Sequence, residues 1–202
     1  MTSNERRTGS DRRPEIRRVT ADPTPPPHRL VRGTVAIDDL DAFLSRLDGI
    51  ATETGAVVQA FDADLVVSDG HLRAAARLAA RAIARGEAVA RDPGVEVLLY
   101  AAGRRQIDRA LALGVSEGEQ RAVVLVADFG GVDGADRPAA DLDAAAAAVE
   151  EIATPVDAEA ETGFDADRVA AFFGVSDREL AATAGGLADI VRERVALLDV
   201  EK

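Results

Sequence analysis

The stretch Val95–Leu111, VEVLLYAAGRRQIDRAL, decides how the rest of the chain is read. Val95 to Tyr100 are nearly all apolar and rich in β-favouring types, which predicts a strand buried on both faces. Gly103 permits a sharp turn after it. Ile107, Ala110, Leu111 and Gly114 then recur at helical spacing, with Arg105 and Arg109 on another face, so the unit reads as strand, tight turn and basic helix.

Working outward, apolar and turn-forming segments alternate. Val31–Ile37 and Val57–Phe61 predict strands, Leu65–Val67 a short one, and Arg121–Phe129 a further apolar strand. Leu40, Phe43, Leu44, Leu47 and Ile50 predict a helix capped by Asp38 or Asp39 and ended by Gly55. A second helix spans about 70–85, with Ser68 or Asp69 as its cap. Further helices are expected over Ala139–Ile152 and from Asp165 to Phe173. Ser176 and Glu179 fit a capping box that opens a long C-terminal helix with Leu180, Leu187, Val191, Val195 and Leu198 inward. Gly185 and Gly186 weaken that helix and mark a place either for a kink or for the close approach of another helix. The pattern predicts one two-layer α/β domain over residues 30–202, a small mixed sheet packed by helices. A right-handed crossover between the strands at 95–100 and 121–129 and an antiparallel arrangement both remain open. Residues 1–29, polar and ending in Pro25, Pro26 and Pro27, read as a disordered arm, and 154–161 as an exposed acidic linker.

The 202 residues carry a net charge of −12 and no cysteine, which removes disulfides, thiolate metal sites and a cysteine nucleophile. No apolar run is long enough to span a bilayer, and the expectation is a cytoplasmic protein. Lys202 is the lone lysine, which rules out a phosphate-binding loop of the Walker type. His28 and His71 have no second histidine at metal-ligand spacing, and no carboxylate is singled out as a general acid. No metal, no cofactor and no catalysis are therefore expected.

The charge is unevenly spread. Residues 71–109 hold eight arginines against four acids in a chain that is otherwise strongly acidic. Arg73, Arg77, Arg81 and Arg85 recur every fourth residue, a row of like charges that repel unless an anion neutralises them. Arg104 and Arg105 follow the Gly103 turn, where guanidinium groups are placed to clamp phosphate or stack on a base, and Arg109 lies one helical turn beyond. The candidate RNA contacts are thus Arg73, Arg77, Arg81, Arg104, Arg105 and Arg109. The structural alternatives are a solvated row on α-helix 70–85 and an Arg104–Asp108 ion pair. The acidic, lysine-poor remainder suits a protein kept soluble in a high-salt, halophilic cytoplasm, where RNA recognition must lean on stacking and shape.

The run HLRAAARLAARAIARGEAVARDPGVEVLLYAAGRRQIDRAL (residues 71–111) and the ending RERVALLD (192–199) resemble the small accessory subunit of the KEOPS complex, of the TPRKB type. The likeness covers about Val31–Phe129 and the last helix. It implies a non-catalytic adapter that docks on the complex's small kinase-like ATPase through helices and recruits tRNA through its 3′ CCA end, in a complex that makes the threonylcarbamoyl modification of adenosine. On that resemblance Leu187, Val191, Val195 and Leu198 of the last helix are the candidate partner interface, with core packing as their alternative. Two other readings stay open: an α/β domain binding an anionic small molecule against Gly103, Arg104 and Arg105, and a scaffold whose arginine row meets an acidic protein.

Overall fold

The computed structural model describes residues 24–154 and 163–199. The reading of residues 1–23 as part of an arm, and of 155–161 as linker, lies outside them.

Three strands form the sheet: β1 (His28–Ile37), β2 (Val57–Asp62) and β3 (Gly118–Ala127), in the order β1-β3-β2. Both pairings are antiparallel, with Val31 opposite Val124 and Phe61 opposite Val123. Strand side chains alternate between faces, and the core divides accordingly. Val123, Leu125 and Ala127 enter one apolar cluster, and Ala122, Val124 and Val126 the other. On the second face lie α1 (Leu40–Thr54) and α5 (Leu142–Glu150), contributing Phe43, Leu47, Ala145 and Val149. On the first lie α2 (Asp69–Ala84), α3 (Pro93–Ala101), α6 (Ala166–Phe173) and α8 (Leu187–Leu197). Two short helices, α4 (Ile107–Ala110) and α7 (Asp177–Ala182), and two 3-10 turns, Ala63–Leu65 and Leu111–Leu113, the latter continuing α4, complete the described elements. The chain is an α/β domain with a C-terminal helix, as expected. Its sheet is antiparallel rather than mixed, and helices cover both faces, where a two-layer arrangement was expected.

The stretch that opened the reading folds differently. Val95–Tyr100 lies inside α3, not in a strand. Asp92 accepts a hydrogen bond from the Val95 backbone N–H at 3.0 Å, and Pro93 occupies the first turn, where its missing N–H costs nothing. The helix is apolar all round because it is buried all round: Val97, Leu98, Leu99 and Tyr100 are each within a few per cent of full burial. Glu96 is buried too, and its carboxylate accepts from the backbone N–H groups of Val89 and Ala90 at 3.0 and 2.8 Å. With no strand there, the crossover to 121–129 does not exist, and β3 pairs with β1 and β2 instead. Ala63–Leu65 forms a 3-10 turn, and Leu65, Val66 and Val67 are buried without joining the sheet.

The long C-terminal helix is two helices. Ser176 does cap α7, accepting from the Glu179 N–H at 3.2 Å, but the chain leaves helical geometry at Thr183. A new helix starts after Gly186, where the Asp189 carboxylate accepts from the Gly186 N–H at 2.9 Å. The two glycines are thus the break that their low helix propensity allows.

Candidate functional site

The face made by α2, the α3–α4 turn and the C-terminal helices collects most of the expected site residues. Ser68 caps α2 by accepting from the His71 N–H at 3.2 Å. Ala75, Ala76, Ala79 and Ala82 are buried, and their small side chains let α3 approach closely. The arginine row occupies the outer side. Arg73 is exposed, while Arg77 and Arg81 are half-buried and engaged.

Arg81 forms an ion pair with Asp199, whose side chain is 3% exposed. The Tyr100 hydroxyl donates to the other oxygen of the same carboxylate at 3.3 Å. Gly103, at φ 60°, turns the chain out of α3 against α8, leaving Arg194 only 3.7 Å from where a Cβ would stand. This turn aims Arg104 and Arg105 inward. Arg104 donates to the Phe172 carbonyl, with its guanidinium 4.9 Å above the Phe172 ring, and Arg105 donates to the Leu198 carbonyl at 2.7 Å. Arg194 completes the arrangement: it donates to the Phe173 carbonyl and grips Glu179 through both carboxylate oxygens at 2.8 and 2.9 Å. Guanidinium groups therefore meet the carbonyl ends of α6 and α8, where a helix leaves acceptors unpaired and its dipole is negative.

The expected RNA contacts are divided by this geometry. Arg81, Arg104 and Arg105 tie the C-terminal helices to the body. Arg104 has turned to α6, so the Arg104–Asp108 pair is replaced by the Phe172 contacts. Arg73 and Arg109 are exposed, and among the described residues neither has an ion-pair partner. Val191 and Val195 are fully buried, and Leu187 and Leu198 are 9% exposed, all four inside the apolar cluster. As placed here these four side chains pack in the core, the alternative reading, with at most 9% of any of them exposed. Large apolar side chains that do reach solvent on these elements are Ile107 at 43%, Leu111 at 56%, Leu180 at 39% and Leu197 at 44%.

A cavity of about 300 Å³ lies at the end of α2, between Ile83, Ala88, Arg91, Pro93 and Gly134. Its lining does not include Gly103, Arg104 or Arg105. Among the described residues no group of His, Asp and Glu is arranged to hold a metal ion, and no helix is long and apolar enough to cross a membrane.

His71 was not singled out by its sequence. It is fully buried beneath α6, its Nε2–H donating to the Ala101 carbonyl at 2.8 Å and its ring edge-on to Phe173 at 5.9 Å. Its Nδ1 has no partner. Burial lowers its pKa to about 4, against the smaller opposing effect of the Ala101 hydrogen bond. Serine three residues earlier and alanines around it were the available signals: a histidine in the first turn of an alanine-faced helix packs inward. On the sheet side of α6, Arg168 bridges Asp62 and Asp64, and Arg121 also reaches Asp64. The Asp62 hydrogen bond raises the Arg168 pKa further above its usual value, so the guanidinium stays charged.

No curated protein matches the chain in a sequence comparison. The model of the family described as kinase binding protein CGI-121 matches residues 41–199. That span runs from the first turn of α1 to the buried Asp199 and takes in both the arginine-clamped turn and the C-terminal helices. The chain belongs to the kinase binding protein CGI-121 family.

Proposed function

We propose that the protein is a non-catalytic adapter of the KEOPS complex, docking on its kinase-like ATPase subunit and bringing in tRNA by the 3′ CCA end. The observation that carries the kinase half is the family match across residues 41–199. The docking surface we assign is the α4 side of the molecule. Ile107 and Leu111 are four residues apart in one helical stretch and stand 43% and 56% exposed; at that spacing they share a face. Large apolar side chains exposed together in so acidic a chain favour a protein partner, and a leucine at the centre of an interface is desolvated on binding. Docking there leaves the buried residues of α8 as support from behind.

For the tRNA half, support comes from the arginine-rich side of an otherwise acidic molecule. Arg73 and Arg109 are the exposed candidates, and the half-buried Arg104 guanidinium over the Phe172 ring brings together two groups of the kind on which unpaired bases stack. The acidic α1–α5 side, with Asp41, Asp48, Asp143 and Glu150, repels phosphate and orients the approach.

The docking assignment is tested with Leu111→Glu and Ile107→Glu, titrated against the purified kinase-like ATPase by calorimetry. Both side chains are exposed, so the fold and the melting temperature should hold. Affinity should fall roughly a hundredfold for Leu111→Glu, as for loss of an interface anchor. Unchanged affinity in both variants would move the docking surface elsewhere.

A further inference from the structure

We propose that Asp199 occupies an anion site which takes an RNA phosphate, and that the turn Leu198–Asp199, which follows α8, is a latch over it. The inference rests on the RNA-binding reading above and adds its regulation. Three donors converge on the end of α8 from parts of the chain remote in sequence. Arg81 comes from α2, the Tyr100 hydroxyl from the buried α3, and both meet the Asp199 carboxylate. Arg105, from the turn after α3, holds the Leu198 carbonyl one residue earlier. The donors belong to elements packed into the core. The acceptors belong to Leu198 and Asp199, the turn beyond the end of the helix, and a chain end opens at less cost than a core helix.

The chemistry of the cradle is that of a phosphate site. Arg81 and a phenolic hydroxyl grip two oxygens of a single negative group, and Arg105 is freed as soon as Leu198 leaves. A phosphodiester offers the same charge and the same pair of oxygens. Arg73 and Arg77 continue the line of positive charge along α2 at one-turn spacing, so a strand bound at the vacated site has further cations to follow. Lifting the turn uncovers Leu198 and leaves Val195 and the Arg194 contacts on α8 in place. In the closed form the carboxylate competes with phosphate for the same donors. The apparent affinity for RNA is then lowered by the fraction of molecules that are open.

The test is fluorescence-polarisation titration of full-length tRNA with the full chain, as wild type and as Asp199→Asn, Tyr100→Phe, Glu193→Gln and Asp199→Asn/Arg81→Gln, with melting curves for each. Asp199→Asn keeps the volume and removes the competing charge, and is expected to tighten binding roughly tenfold, the gain from a latch closed in about nine molecules of ten. Tyr100→Phe, which takes one donor from Asp199 and changes no charge, should tighten binding by a smaller factor and stands in if Asp199→Asn fails to fold. Glu193→Gln removes one negative charge from the exposed side of the same helix and should leave affinity unchanged. Adding Arg81→Gln should cancel the gain. The latch is overturned if Asp199→Asn and Tyr100→Phe, folded, bind no tighter than wild type, if Glu193→Gln gains as much, or if the gain survives Arg81→Gln. Absence of tRNA binding in every form would overturn the RNA reading itself, and the latch with it.

Discussion

Val195→Asp should strip the C-terminal helices from the body of the protein and lower its melting temperature by about 10 °C or more. Val195 is fully buried on α8, within the cluster that includes Leu72, Ala79, Val169 and Phe173. The substitution places a carboxylate in an apolar environment, and the loss of burial and the cost of an unpaired polar group together come to about 4 kcal/mol or more. A domain of this size has about 5–15 kcal/mol in all. Thermal melting monitored by circular dichroism reads the effect, and Glu193→Gln on the exposed side of the same helix should move the curve by less than about 2 °C. A wild-type melting temperature for Val195→Asp would return this residue to the surface, where the sequence had made it a partner contact.

The second large effect is on acid stability. His71 titrates near 6.5 in an unfolded chain and near 4 in the fold, because burial disfavours the imidazolium. Between those values the unfolded chain binds the additional proton, so stability falls as the pH drops from about 6.5 toward 4 and levels off below. The full shift corresponds to roughly 3 kcal/mol. Its physical origin is specific: Nε2 is committed to the Ala101 carbonyl, and a proton on Nδ1 has nothing to receive it. Urea unfolding at a series of pH values, wild type against His71→Gln, isolates the effect, since the carboxylates are common to both. The stability difference between the two should change by about 3 kcal/mol over that interval. A constant difference would mean that His71 is solvated or charged in the folded protein.

Much of the fold is legible in residue spacing. Asp39, Ser68, Asp165 and Ser176 each cap the helix they announce, and Gly55 ends α1 in the left-handed conformation at φ 74°. β1, β2 and β3 contain the alternating and apolar runs, but β1 starts at His28, so His28 and Arg29 of the expected arm are strand, and β3 starts at Gly118, inside the stretch read as a polar loop. The most consequential misreading, Val95–Tyr100, is a run of six apolar or nearly apolar residues without a legible period, and such runs suit a fully buried helix as well as a buried strand. Asp92 and Pro93, read as turn residues, were the helix start signals that separate the two.

The site was legible in composition more than in role. The clustering of arginine between residues 71 and 109 is evident from the sequence, and the structure does gather much of it on one side. What spacing does not show is which arginines are already occupied. Arg81, Arg104 and Arg105 find their acceptors at Asp199, Phe172 and Leu198, between 68 and 118 residues away along the chain. The i to i+4 rule reports neighbours on one helix and is silent on such contacts. For the same reason an apolar stripe on α8 is equally the face of a partner or of the core, and only the packing of α2 against it decides.

The adapter reading is tested most directly by the affinity of the full chain for tRNA with and without its 3′ CCA, measured at several salt concentrations. Removal of CCA should weaken binding at least tenfold at every salt concentration, and Arg73→Ala/Arg109→Ala should weaken binding to the intact tRNA without altering the melting temperature. Equal affinity for the two RNAs, or no affinity for either, would contradict recruitment of tRNA by its 3′ end.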